Sequence, residues 1–325
     1  MIITRTPFRV SFAGGGTDLA AFYRRESGVV VSTAIKKYMY ITVNRRFDSS
    51  VRVSYSQTEI VGNAQEIRHP IVREALRLVG IDGGIEIVSI ADIPAGTGLG
   101  SSSSFTVGLL NALWAYTGKL KSADELAQQA CRIEIDILGE PIGKQDQYIA
   151  AHGGLRHIRF NPDESVFVNP IICGSRCQKV LEQSLLLLYT GASRDAKSIL
   201  GEQKANTHKA DKFASLKKMR DLAQETYRCL TGGASPRELG RLLHEGWLLK
   251  KELAGGITNG AIDEYYEKAL AAGAYGGKVS GAGGGGFLLL VTPSQKRQSV
   301  RRVLSQLQEM EFAFEPEGSK IIYVI

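Results

Sequence analysis

The chain has 325 residues, a formal net charge of +7 and 36 glycines, where ordinary usage near 7% would give about 23. It has no Gly-X-Y period, which excludes collagen, and its 43% hydrophobic content is too high for a disordered linker. No apolar run reaches the ~18 residues of a membrane span and the start lacks a signal-peptide pattern, so a cytoplasmic protein of one large or two moderate domains is expected.

In chain order, Ile2 to Phe12 reads as a strand that ends in a glycine cluster. Val29 to Ala34, Tyr38 to Arg46 and Val51 to Ser56 read as further strands, rich in β-branched and aromatic residues. Pro70 to Val79 is predicted helical and Ile85 to Ser89 a strand. Ser103 to Tyr116 has helical periodicity, and Ser122 with Glu125 forms a capping box for a helix reaching about Leu138. Gly153 to Phe160 reads as a strand and Asn161 to Asn169 as a polar connection. A strand at Leu185 to Tyr189 follows, then helices near Ala196 to His208, Phe213 to Leu230, Pro236 to Leu253 and Ala261 to Ala272. A strand at Phe287 to Val291, a basic helix from Ser294 to Met310 and a strand at Lys320 to Ile325 close the chain. Strands and helices mix without regular βαβ alternation, which favours α+β layers over a doubly wound sheet.

The glycine surplus is concentrated in three places. The central one is Pro94-Ala95-Gly96-Thr97-Gly98-Leu99-Gly100-Ser101-Ser102-Ser103-Ser104, followed at once by a helix. Alternate glycines let backbone N–H groups converge, and the helix adds free N–H groups and the positive end of its dipole. The serines add hydroxyls for phosphate oxygens or a magnesium ion. The loop is a phosphate cradle but not a Walker A loop, since no lysine follows its last glycine. The third cluster, Gly281 to Gly286, matches G-x-G-x-x-G formally but precedes an apolar strand, which rules out a dinucleotide fold. It is expected to pack against a ligand or against the central loop. The first cluster, Gly14-Gly15-Gly16, lies between Arg9 and Asp18.

On the helix after Ser122, residues Leu126, Ala130, Ile133 and Ile137 share one face at 100° per residue. Glu134 falls inside that apolar arc, so it needs a metal, a cation or an escape to solvent. Asp146, after the break at Pro141, reads on its own as a loop acid. The basic residues are scattered without an aromatic-interleaved stripe, which suits anionic small substrates better than nucleic acid. Cys131, Cys173, Cys177 and Cys229 lack the second pair of a zinc site and are expected as reduced thiols.

Together these segments resemble the GHMP kinases. Three motifs stand in the family's order: Pro7-Phe8-Arg9 with its glycine turn, the Pro94 to Ser104 loop, and the Ser280 to Gly286 loop before a strand. Within the family, Gly14-Gly15-Gly16-Thr17-Asp18, Gly143-Lys144-Gln145-Asp146-Gln147 and Tyr189-Thr190-Gly191-Ala192-Ser193-Arg194 are similar to sugar 1-kinases of the heptose-phosphate and fucose type.

The resemblance implies an α+β fold of two domains. The N-terminal domain, residues 1–165, would be like ribosomal protein S5 domain 2, and the C-terminal domain, residues 166–325, ferredoxin-like. It implies phosphoryl transfer from ATP, with Mg²⁺, to the anomeric hydroxyl of a heptose 7-phosphate. Pro94, Gly96, Gly98, Leu99, Gly100, Ser101, Ser102, Ser103 and Ser104 would wrap the ATP phosphates, and Ser102 with Glu134 would hold Mg²⁺. Asp146 matches the catalytic aspartate and Arg9 the basic residue beside it. Asp18, with Thr17 and Gly16, matches the turn that binds sugar hydroxyls. Gly283 and Gly284 would also face the substrate, and Arg194 is the candidate cation for its phosphate. Galactokinases carry Glu-His where this chain has Gly15-Gly16, which argues against galactose and leaves room for a bulkier sugar. The expected partner is a small phosphosugar, with no nucleic acid or membrane; homo-oligomerisation is left open.

Overall fold

The predicted apolar alternations become two sheets in the computed structural model, which describes residues 1–191 and 196–325. The strands are β1 (Ile2–Ala13), β2 (Gly28–Arg45), β3 (Val51–Ser54), β4 (Thr58–Val61), β5 (Ile85–Ala91), β6 (Leu155–Phe160), β7 (Val166–Pro170), β8 (Leu185–Tyr189), β9 (Gly276–Val279), β10 (Phe287–Val291), β11 (Gln308–Glu309) and β12 (Lys320–Val324). The first sheet runs β12-β1-β2-β5-β3-β4, with β6 on the other half of β2 and β7 beside β6. All its pairs are antiparallel except β3 with β5. The second sheet runs β11-β8-β10-β9 and is antiparallel throughout.

Val29–Ala34 and Tyr38–Arg46, predicted as two strands, are one. The register with β1 shifts between Pro7 and Phe8, so the ladder bends at a bulge without ending. One half of β2 then pairs with β6 and the other with β5. The stretch read as a polar connection contains β7, whose Val166, Phe167 and Val168 pair with β6. The predicted basic helix is shorter, Arg297–Val303, because the chain leaves it to pair Gln308 and Glu309 with β8.

Ser122 and Glu125 form the reciprocal cap of the helix Ala123–Cys131. Beyond it, Arg132–Ile137 winds as a π-helical turn, with the Leu138 N–H bonded to Ile133 O at 3.0 Å. Leu126, Ala130 and Ile133 are buried as the 100° wheel requires, but the wider turn rotates Ile137 outward, to 45% exposure. Cys173 and Cys177 are not reduced thiols: they form a disulfide, while Cys131 and Cys229 are free. Cys177 lies in the first turn of the helix Ser175–Ser184, which brings its Cα within 5.7 Å of that of Cys173, inside bridging range.

Alternation within β8 and β10 joins the two halves. Leu185, Leu187, Phe287, Leu289 and Val291 enter the core built on the first sheet. Leu186, Leu188, Leu288 and Leu290 enter a second core with Trp247 and Leu216. Each fully buried leucine contributes ~1.5–3 kcal/mol, so both runs are apolar at every position. The helix Ser101–Tyr116 packs on β1 and β2. None of the described helices is long and apolar enough to cross a membrane.

Candidate active site

The central glycine loop enters the helix Ser101–Tyr116 at Gly100, and no side chain caps that helix. Its first N–H groups are therefore open to an anion. Gly98 and Gly100 have φ of +81° and +80°, a region costly for other residues. A Cβ on Gly98 would lie 2.5 Å from Ser280 O, and one on Gly100 3.3 Å from Asp146 Oδ2. The third glycine cluster thus packs against the central glycine loop, one of the two expected placements, and the loop lies over Asp146.

The loop's members do different work. Ser101 is half-buried and Ser102 exposed. Ser104 is buried and donates to Pro7 O at 2.8 Å, and Leu99 is a core side chain whose carbonyl accepts from Arg9 N at 3.0 Å. These two hold the loop onto β1. Pro94 and Gly96 are exposed, with Pro94 O accepting from the Thr97 hydroxyl.

Arg9 projects from β1 and is 5% exposed. Its Nε donates to Asp146 Oδ1 and its Nη2 to Asp146 Oδ2, both at 2.7 Å, and its Nη1 bonds Gly98 O. Two parallel charge-assisted bonds fix the carboxylate plane. Asp146 sits in the first turn of the helix Gln145–His152, which the sequence reading took for a loop; an acid is favoured there by the dipole.

Asp18 is 2% exposed. Its Oδ1 accepts from Gly16 N at 2.9 Å and its Oδ2 from Gln145 N and Nε2 at 3.2 and 3.1 Å. Burial pushes its carboxyl above the usual range, the Gly16 N–H opposes this, and neighbouring Asp146 adds to the rise. Thr17 is fully buried, with its hydroxyl bonded to Gly14 O and to the backbone of Val29, so it braces the turn. Gly16 faces Gln203 of the helix Ala196–Asn206. Gly284 N donates to Ile257 O at 2.7 Å and Gly283 packs on Ile257, so both lie under the loop after the helix Pro236–Lys251. Arg194 is outside the described residues.

Glu134 points inward from the π turn and is 1% exposed. Ser102 Oγ and Gln147 Nε2 each donate to it at 2.7 Å. No cation pairs with it among the described residues. Burial raises its carboxyl to about 7, against the opposing bonds from Ser102, Gln147 and Ser103.

Sequence reasoning missed Gln145, Gln147, Lys250 and Lys278. The two lysines are 6% and 7% exposed. Lys250 Nζ donates to Gly281 O, and Lys278 Nζ to Phe12 O at 3.4 Å. Lys250 could have been found, since it continues the Leu239, Leu243, Trp247 face of its helix, where a lysine is out of place. Lys278 is hidden by flanking glycines in a four-residue strand.

The family model for the GHMP kinases N terminal domain matches residues 60–154, and the one for the GHMP kinases C terminal matches residues 221–310. The chain is 29% identical to a D-glycero-alpha-D-manno-heptose 7-phosphate kinase of Campylobacter jejuni, over 98% of both chains. It is 26% identical to a bifunctional fucokinase/GDP-fucose pyrophosphorylase of Arabidopsis thaliana, over 94% of this chain and 31% of that protein. Among solved structures, a D-glycero-D-manno-heptose 1-phosphate kinase from Bacteroides thetaiotaomicron aligns over 100% of both chains, with a TM-score of 0.82 and 26% identity. Matched in both halves and along its full length, the chain belongs to the GHMP kinases, phosphotransferases that take an alcohol group as acceptor and ATP as donor.

Proposed function

We propose that the protein is an ATP-dependent sugar 1-kinase that converts D-glycero-D-manno-heptose 7-phosphate to the 1,7-bisphosphate. The observation that carries the chemistry is the bidentate Arg9–Asp146 pair beneath an uncapped helix N-terminus. The likeness to the Campylobacter kinase along nearly the whole of both chains supports the substrate, as does the absence of side chains at Gly15 and Gly16.

Asp146 orients the anomeric hydroxyl and accepts its proton. The freed oxygen attacks the γ-phosphorus in line, the bond to the β–γ bridging oxygen breaks, and ADP leaves with that electron pair. Arg9 fixes the angle of Asp146, and the open N–H groups after Gly100 hold phosphate oxygens. Positioning and charge stabilisation supply most of the rate.

A magnesium ion fits the residues present. Mg²⁺ is ordinarily held through one or two carboxylates together with substrate phosphates. Among the described residues Glu134 is a buried acid without a cation, Ser102 is an exposed residue whose hydroxyl bonds it, and the buried Gln147 Oε1 has no partner. Ser102 and Glu134 would hold the ion, which when bound neutralises phosphate charge.

ADP release over a panel of sugars and phosphosugars tests the reading. Heptose 7-phosphate should give the highest kcat/KM, and ³¹P NMR should show a new anomeric phosphate. A higher kcat/KM for fucose or galactose would overturn the substrate assignment and leave the kinase chemistry standing.

A further inference from the structure

We propose that Lys250 and Lys278, with the hydroxyl of Ser280, form the subsite that receives the phosphate monoester of the sugar substrate. This rests on the phosphosugar reading above and names the groups that would enforce it.

Lys250 comes from the inner face of the helix Pro236–Lys251 and Lys278 from β9. They line one tight cleft of about 10 Å³ with Phe12 of β1, Gly14 and Gly15 just beyond it, and Met219 and Leu222, so a phosphate enters only as the cleft widens. Both are more than nine-tenths buried, yet neither pairs with a carboxylate among the described residues. Each ammonium carries three donors and bonds only one carbonyl, Gly281 O for Lys250 and Phe12 O for Lys278. Ser280, just past the end of β9 and two residues beyond Lys278, is 1% exposed, and its hydroxyl has no partner among the described residues.

Two buried like charges with no counter-ion are costly unless an anion joins them. Burial pushes the Lys250 ammonium down to about 8, with Arg9 adding to the fall. Lys278 is pushed well below its usual range by burial, then by Lys250 and Arg9. A phosphate dianion accepts hydrogen bonds from every donor left idle here and reverses that repulsion.

The placement also separates this anion from the one transferred. The cleft lies beside the Gly14–Gly15 turn, and that turn is tied through Asp18, which accepts from Gly16 N and Gln145 N, to the helix that carries Asp146. A sugar with its anomeric hydroxyl at Asp146 would direct a terminal phosphate along the cleft. Lys278 belongs to the second sheet and reaches the backbone of the first, so the bound phosphate would tie the two halves together.

The test compares wild type, Lys250→Met and Lys278→Met on heptose 7-phosphate and on the same heptose without its phosphate. In each variant KM for the phosphosugar should rise at least tenfold while KM for ATP stays within threefold. The kcat/KM preference for the phosphorylated over the unphosphorylated sugar should fall at least tenfold. An unchanged preference overturns the proposal, as does a fall in kcat with KM for the phosphosugar unchanged, which would assign the lysines to the transferred phosphoryl group. If the variants fail to fold, wild-type protein is acylated with an amine-reactive ester and read by mass spectrometry. Heptose 7-phosphate without ATP should protect Lys250 and Lys278, and no protection overturns the subsite. Should wild type phosphorylate only unphosphorylated sugars, the functional reading fails first. Should it phosphorylate heptose 7-phosphate while the variants keep their preference, the subsite alone fails.

Discussion

Asp146 and Glu134 are two acids whose surroundings separate them: Asp146 meets a guanidinium, and Glu134 a serine hydroxyl and a glutamine amide. Asp146 has both oxygens bonded to Arg9, so Asp146→Asn should keep the shape of the turn and lose the anionic acceptor. Turnover should drop by roughly 10²–10⁴-fold, the usual contribution of a positioned base, while ATP binding measured by calorimetry is retained. Near-normal kcat would sink the base assignment. Glu134 has no cation among the described residues, and burial raises its folded-state carboxyl to about 7, above the ordinary ~4.3 of an unfolded chain. The folded form therefore holds the proton more tightly. Its stabilising contribution is full below the unfolded value and is lost as pH rises through about 7. Without divalent metal, Tm of wild type should fall between pH 5 and pH 7.5 more steeply than Tm of Glu134→Gln. Equal slopes for the two proteins would show that Glu134 is not the titrating group.

At the scale of elements, the central glycine loop and the helix behind it were legible because their signal is local: alternate glycines, serines and a helix start within eleven residues. What the loop packs against was legible only as one of two alternatives for the third cluster, a ligand or this loop. Ser280 O occupies the space beside Gly98 that a side chain would need, a contact across more than 180 residues that no window in the chain reports. Gly98→Ala combines a left-handed φ of +81° with a clash against backbone. The conformation alone costs ~1–2 kcal/mol, and moving Ser280 adds to it. We expect a lower Tm together with a raised KM for ATP; an unchanged Tm would show that the loop is free of the third cluster. The helix after Ser122 makes the complementary point. A 100° wheel found the inward Glu134, but the π turn that turns Ile137 outward depends on contacts outside the helix. Wider turns of this kind recur at functional sites, and here the turn carries the proposed metal acid.

Across the whole molecule, the strands that sequence alone did not predict, β4, β7, β9 and β11, are short and owe their existence to partners: β3, β6, β10 and β8. Pairing chosen by distant strands leaves little trace in composition. The same holds for the chain's return to the first sheet, which buttresses the site from behind. Glu315 O accepts from Gly154 N at 2.8 Å and Ser319 N donates to Ala150 O at 2.9 Å. The Ser319 hydroxyl meets Thr6 of β1 at 2.8 Å and Asn111 of the phosphate-loop helix at 3.1 Å. One segment thus touches the three elements that carry Arg9, Ser102 and Asp146. Gly318 fits this junction only because it lacks a side chain: a Cβ there would lie 1.9 Å from Ala151 O, in the helix that carries Asp146. Gly318→Ala must displace either the returning segment or that helix. Misplacement of a catalytic group by about 1 Å can cost ~10²-fold in rate, so kcat should fall by up to that factor with KM for ATP little changed. Gly174→Ala, where an added Cβ meets nothing within 4 Å, serves as the control and should keep wild-type kcat. A Gly318→Ala protein with a lower Tm but full kcat would show that the C-terminal return stabilises the sheet without setting the position of Asp146.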